Sequence, residues 1–297
     1  MFDDRLLQIG VEVNGTLKVY EGANMGVKFV KTSDPKQNTA EIFIDNMLVD
    51  TIDYLVTETS PWNPNAKPKL LTVLAGRTST GVQRIFTGDI TSSVPSMPPD
   101  RRLTMKAKTQ ENNKYVWQTT QATKTAQLST LAKRIADEYK LRLIFEATDK
   151  AVANYLYNGP RAKQIQKLAE VGDIDVYIDD DALIVKDLGK ALSGKARLIS
   201  KNTGMVGNPT LDEKGGKVRV MFDPNIKLGQ AIQIQSDVNK AANGQYVIYA
   251  MTGSLMSRGL DWYLDLSFNN DNIKSIAEKR EAAKKKDAKS KQSKQKS

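Results

Sequence analysis

The sequence predicts a mainly β protein that carries an α/β insertion. Three observations lead there. Apolar and polar residues alternate through short runs over residues 5–110, and again from Ala196 onward. Between these regions, from about Thr123, the apolar spacing lengthens to that of helices. The second β region also repeats, in order, the features of the first. Alternation with period two marks half-buried strands, and a period near 3.6 marks helices.

The elements follow in order. "LLQIGVEVNGTLKVY" alternates around Asn14-Gly15, the favoured pair for a tight hairpin turn. "GVKFVKT" and "TAEIFIDNM" continue the pattern, the latter with Ile42 and Ile44 on one face. "DYLVTET", "KLLTVLAG", "VQRIFTGDI" and "RRLTMKAKT" complete a set of short strands punctuated by Gly, Pro and Asn, which indicates a barrel or sandwich. "TAQLSTLAKRIADEY" then places Leu128, Leu131, Ile135 and Tyr139 on one helical stripe, and "LRLIFEA" returns to strand. A second helix is expected in "NGPRAKQIQKLAEVG", with Pro160 in its first turn, Gly172 at its stop and Ile165, Leu168 and Ala169 inward. "DIDVYIDDDALIVKDL" reads as a hairpin turning at Asp180-Asp181. Four further strands are expected in "GKVRVMFDPNI", "AIQIQS", "QYVIYAMTGSL" and "DWYLDLSF". The expected division is residues 1–111 as a first β domain, 112–195 as the α/β insertion, 196–271 as a second β domain, and 272–297 as a basic, partly disordered tail.

Composition narrows the chemistry. The 297 residues suit two or three domains, and 40% apolar content suffices for their cores. There is no Cys, which excludes disulfides and Cys-ligated metal sites and fits assembly in a reducing cytoplasm. There is no His, which removes the commonest general base and metal ligand and excludes Ser-His-Asp and Cys-His mechanisms. The net charge is +10, but residues 272–297 hold ten Lys/Arg against three Asp/Glu, a balance of +7. The body is left near +3, so the high pI argues little for nucleic-acid binding by the body. "MFDDRLLQIG" has two acids and no long apolar stretch, unlike a secretory signal, and no window reaches the roughly 18 apolar residues of a membrane span, so a soluble chain is expected.

The two β regions superpose as sequences. "AEIFIDNML" lies over "VRVMFDPNI", with Ile42 over Val220, Ile44 over Phe222, Asp45 over Asp223 and Leu48 over Ile226. "DYLVTET" lies over "AIQIQSD", and "GVQRIFTGDITSSVPSMPPDRRLTMKAKT" over "GQYVIYAMTGSLMSRGLDWYLDLSF". A duplicated barrel lets three chains close into a ring of six similar units, and its use is to adapt a sixfold object to a threefold one.

The stretch "KFVKTSDPKQNTAEIFIDNM" resembles the amino-terminal region of phage tail baseplate hub proteins, through Asn38, Thr39, Ala40, Ile42, Ile44 and Asn46. The carboxyl-terminal block is similar to the same family through Gly207, Pro209, Gly215, "FDPNIKLGQ", Gly244-Gln245-Tyr246 and Asp261-Trp262-Tyr263. The likeness spans most of residues 5–268 and excludes the basic tail. It implies two tube-like β-barrel domains in a homotrimer at the centre of a virion baseplate. Such a hub joins the hexameric tail tube to the trimeric spike, contacts other baseplate proteins and passes the genome. The hub part of a type VI secretion or other contractile injection machine, and a hub with cell-wall hydrolase activity, are the alternatives.

Plain readings compete with sharper ones. Asp173, Asp175, Asp179, Asp180 and Asp181 could suggest calcium, but Asp179–Asp181 sit where a turn is expected. No pair of acids stands in a glycosidase context, and the Gly pair in "DEKGGKV" reads as a turn and lacks a phosphate-binding fingerprint. Trp262 and Tyr263 read as core on one side and subunit contact on the other. The Lys-rich tail reads as a solvated end in preference to a DNA-binding one. No catalytic, cofactor-binding or metal-binding residue is expected, no enzyme activity is expected, and side chains facing a channel are expected to be neutral or acidic.

Overall fold

The computed structural model describes residues 3–270 apart from 98, 100, 114, 115, 123, 124, 213 and 214. The tail expected over 272–297 lies outside the described residues.

β1 (Arg5–Val13) and β2 (Thr16–Tyr20) form the first hairpin. Asn14 and Gly15 both take positive φ, 52° and 76°, as a two-residue primed turn demands. β3 (Met25–Thr32) and β4 (Thr39–Asp45) pair next, and α1 (Val49–Glu58) follows. "DYLVTET" therefore belongs to a helix where a strand was expected. Thr51 and Leu55, one turn apart, are buried, with Ile52 and Val56 beside them against the core, so burial on a helical stripe overrides the strand preference of Tyr, Val and Thr. β5 (Leu70–Arg77), β6 (Gly81–Pro95) and β7 (Arg102–Lys108) complete the first half.

The middle of the chain builds a second core. It contains β8 (Trp117–Gln121), β9 (Thr125–Gln127), α2 (Leu128–Tyr139), β10 (Arg142–Glu146), β11 (Ala151–Ala153), β12 (Leu156–Pro160), α3 (Arg161–Gly172), β13 (Ile174–Asp179) and β14 (Ala182–Asp187). Leu128, Leu131, Ile135 and Tyr139 of α2 meet Ile165 and Leu168 of α3 over the sheet β10-β14-β13. Pro160 takes extended backbone before α3 instead of opening its first turn, and the left-handed cap falls on Asp173, not Gly172. Gly172 is small for a different reason: a Cβ there would lie 2.7 Å from Ile174. At the end of α2 the left-handed position is held by exposed Lys140, φ 57°. Lys140→Gly is expected to raise stability by about 1 kcal/mol, read as a higher denaturation midpoint, because glycine enters this conformation without the Cβ clash.

β15 (Arg197–Ile199), β16 (Met205–Asp212), β17 (Gly215–Met221), β18 (Ala231–Ile234), β19 (Gly244–Met256) and β20 (Trp262–Asn270) form the second half. Separate barrels were expected; instead the strands of both halves join one 13-stranded sheet in the order β16-β17-β20-β19-β3-β4-β7-β6-β5-β1-β2, with β18 linking β19 to β15. No closed barrel forms among the described residues, because β3 continues the sheet onto β19 instead of returning to its own half. One apolar core runs beneath this sheet, from Ile9 and Val73 in the first half to Trp262 and Phe268 in the second.

Within that sheet one strand order occurs twice. The first half runs β3-β4-β7-β6-β5, and the second runs β16-β17-β20-β19-β18. Both long strands carry a bulge at the same place: between Ile90 and Ser92 opposite β7, and between Ile248 and Ala250 opposite β20. Aligning the bulges puts Ile42 over Val218 and Ile44 over Val220, two residues from the register read in the sequence but on the same face. The structural counterpart of β18 is β5, not "DYLVTET". The halves diverge at their far strands, where β1 pairs antiparallel with β5 but β15 pairs parallel with β18.

Candidate assembly surface

Three features mark the shared sheet: the junction of its halves, the hairpin wedged behind that junction, and its open groove.

The junction is β3 against β19, from Gly26↔Met256 to Thr32↔Ala250. Gly253 lies opposite Phe29, and the Phe29 ring fills the space a side chain would need, 2.2 Å from an ideal Cβ. Gly26 is constrained similarly by Phe43, 2.5 Å away. Each glycine here accommodates an aromatic ring across the pleat.

Behind the junction docks the hairpin of β13 and β14. Its turn is the two-residue one expected at Asp180-Asp181, with Asp179 paired to Ala182 and Asp180 at φ 53°. Lys31 of β3, only 5% exposed, donates to Asp179 Oδ1 at 2.6 Å and Asp180 Oδ2 at 2.7 Å. Burial works against the Lys31 charge, but Asp179 and then Asp180 outweigh it and raise its pKa. Burial raises the Asp180 carboxyl despite Lys31. Asn38 bridges the same contact, accepting from Thr32 N–H at 3.1 Å and donating to Ile178 O at 2.9 Å. On the other half, Tyr177 enters the main core and donates to Leu228 O at 3.2 Å, where Gly229 leaves room for its hydroxyl. The "FDPNIKLGQ" turn is thus the receptor for the insertion. Asp175 pairs with Lys186 at 2.7 Å and Asp181 faces Arg84 at 3.6 Å, so the acids of this hairpin are divided among three basic partners, Lys31, Lys186 and Arg84. Among the described residues no three acidic side chains converge as a metal site would require.

The outward face of the shared sheet forms an open groove of about 980 Å³. Its charged lining is four basic residues, Lys28, Arg102, Lys217 and Arg219, against three acidic ones, Glu41, Asp261 and Asp265. Arg219 binds Asp265 through two bonds of 2.7 and 2.9 Å, and its guanidinium lies 4.0 Å over Tyr263. Arg102 binds Asp45 at 2.6 and 3.0 Å and lies 4.1 Å over Phe43, and it holds the Asp45 carboxyl below the usual carboxylate range. In the bulge-anchored register Phe43 corresponds to Arg219 and Arg102 to Tyr263. The cation and the ring have exchanged strands while keeping their contact. Neither this swap nor the Lys31 contact was legible in sequence. Trp262 fills the core as expected, edge-on to Phe222 at 5.3 Å, while Tyr263 faces the groove.

No helix among the described residues is long and apolar enough to cross a membrane. No curated protein sequence matches the chain. Solved structures share its fold. A tail protein from Neisseria meningitidis superposes with a TM-score of 0.64 at 12% identity, covering 90% of this chain and 97% of that one. The 43 kDa tail protein of prophage MuSo2 from Shewanella oneidensis gives 0.61 at 9%, covering 89% and 97%. A type VI secretion component from E. coli gives 0.55 at 9%, covering 88% and 76%. Residues 6–267 match the family described as baseplate hub gp41. The chain therefore belongs to the baseplate hub gp41 family, whose members are structural proteins of the viral tail.

Proposed function

We propose that three copies of this chain close into a ring of six similar units, which joins a hexameric tail tube to a trimeric spike and leaves a channel for genome delivery. The observation that carries this reading is the strand order that occurs twice in one sheet, with a bulge at the matching place in both long strands. A ring of such chains is threefold by chain and near-sixfold by unit, as contact with both neighbours requires. The tube-like units are residues 1–111 and 196–271, with 112–195 inserted between them and 272–297 as a basic tail. Other baseplate proteins surround the ring in the virion, and assembly takes place in the bacterial host cytoplasm. The work is done by interfaces and not by bond chemistry.

On this reading the groove face lines the channel. Its charges nearly balance and two of its arginines are neutralised by carboxylates, so phosphates in transit meet little net attraction. That lining is mixed, where neutral or acidic side chains were expected. The fold shared with a type VI secretion component supports, as a second reading, the hub of another contractile injection machine. The mass of the purified chain in solution tests the ring. Three chains per particle and annular images are expected; a single-chain mass at every concentration would overturn it.

A further inference from the structure

We propose that residues 271–286 of this chain lie in the cleft between α3 and the main sheet, with their lysines and arginine against Glu170 and Asp173. The contact is made within one chain and does not depend on the ring reading.

The cleft holds about 590 Å³ where α3 and the start of β13 face the β3–β4 turn and the beginning of β19. Its charged lining is four acidic residues, Asp34, Glu170, Asp173 and Asp175, against one basic residue, Lys186. That excess of acid stands on a body whose own balance is near +3. Two of the acids are answered: Asp175 pairs with Lys186 at 2.7 Å and Asp34 faces Lys36 at 3.8 Å. Glu170 accepts from Gln166 at 3.2 Å, and among the described residues neither it nor Asp173 forms an ion pair.

Their place on α3 adds to the negative field. Glu170 lies in the last turn, Asp173 caps the helix in the left-handed conformation, and no basic residue lies in that turn. The carbonyl end of a helix carries partial negative charge and favours cations. Here it holds two carboxylates instead, and Arg161, Lys163 and Lys167 of the same helix do not line the cleft. Backbone and side chains together therefore call for a cationic occupant.

The chain brings one to the mouth of the cleft. β20 ends at Asn270, and Asn269 and Val247, opposite each other in the ladder, both line the cleft. Residues 272–297 carry a balance of +7. The four residues beyond Asn270 span at most about 14 Å, which keeps Lys274 near the cleft. Lys279, Arg280 and Lys284 to Lys286 follow. Ile273 and Ile276 are the large apolar residues of the segment, and Pro35, Ala169 and Tyr249 leave apolar surface in the cleft to receive them. Exposed ion pairs are individually weak, but a tethered segment is already at high local concentration. A solvated end was expected here; the cleft gives its first half a place.

Zero-length carbodiimide coupling of the unaltered chain tests the contact, because it joins a lysine to a carboxylate only where the two touch. Peptides linking residues 274–286 to Glu170 or Asp173 are expected in the band of single-chain mass. They should be severalfold more abundant than links to Asp50 or Asp53, which are exposed on α1. They should fade in about 1 M salt, where screening acts within about 3 Å. The absence of cysteine permits a second reading. Gln166→Cys, exposed in the cleft, with Ser275→Cys should form a disulfide within single chains on mild oxidation. Lys240→Cys, exposed in the loop before β19 and outside the cleft, should pair with Ser275→Cys severalfold less. Adding Glu170→Gln and Asp173→Asn should lower the Gln166→Cys yield severalfold, and Asn suits the positive φ of residue 173. Equal linkage to Asp50 and Asp53, or an equal disulfide at Lys240→Cys, would overturn the proposal. Links confined to bands of two or three chain masses would overturn its placement within one chain. A disulfide yield indifferent to Glu170→Gln and Asp173→Asn would overturn the role of charge.

Discussion

Lys31→Met is expected to lower the unfolding free energy by about 3 kcal/mol or more, the cost of leaving buried charge without its partner. The substitution keeps the stem of the side chain but strips the ammonium from Asp179 and Asp180, whose side chains are only 11% and 12% exposed. Two carboxylates would then face each other behind β3. Adding Asp179→Asn and Asp180→Asn should restore most of the loss, and Asn suits the left-handed backbone at residue 180. Denaturant midpoints of the single and triple variants measure both effects. If Lys31→Met is neutral, the hairpin is not held by this contact. The pH dependence follows from the signs. Lys31 is raised, so its contribution is complete below the ordinary value of 10.5 and is lost as pH climbs through the higher folded value. Asp180 is also raised, so its protonated form is favoured on folding and its charge costs stability as pH rises above 3.8. The deficit of Lys31→Met should accordingly narrow in acid, where the stranded Asp180 carboxylate takes up a proton.

The second large effect is at the junction. Phe29→Ala is expected to cost about 3–5 kcal/mol, as for other buried aromatics. Gly253→Val should cost about 1–3 kcal/mol, the usual range for overpacking, because its Cβ would stand 2.2 Å from the Phe29 ring. Combined, the two should cost less than their sum by at least about 1 kcal/mol, since the valine enters space the ring has vacated. Additive losses would show that Phe29 and Gly253 do not share that space. Hydrogen exchange along β3 and β19 locates the damage.

Legibility followed the range of the interactions. Alternation exposed β3, β4 and β17 because one face of each is buried, and the i, i+3, i+4 stripe exposed α2 and α3. β16 escaped because its residues are nearly all exposed and no alternation remains to read. α1 escaped because the window over "DYLVTET" was too short for its stripe, which starts at Thr51. The repeat was visible as an order of features, but its register needed the two bulges, which no residue pattern marks. The turn at Asp180-Asp181 was legible from local chemistry. Its partner Lys31 lies 148 residues away from Asp179, and nothing in either segment names the other.

That β3 and β19 belong to the same polypeptide has a thermodynamic consequence for any closed assembly. Bringing free bodies together costs roughly 4–15 kcal/mol of translational and rotational freedom at each encounter. Where tethering makes two mating edges intramolecular, that loss is already met in folding. Every second seam of such a ring is then exempt from dilution, and the alternate seams alone would respond to protein concentration.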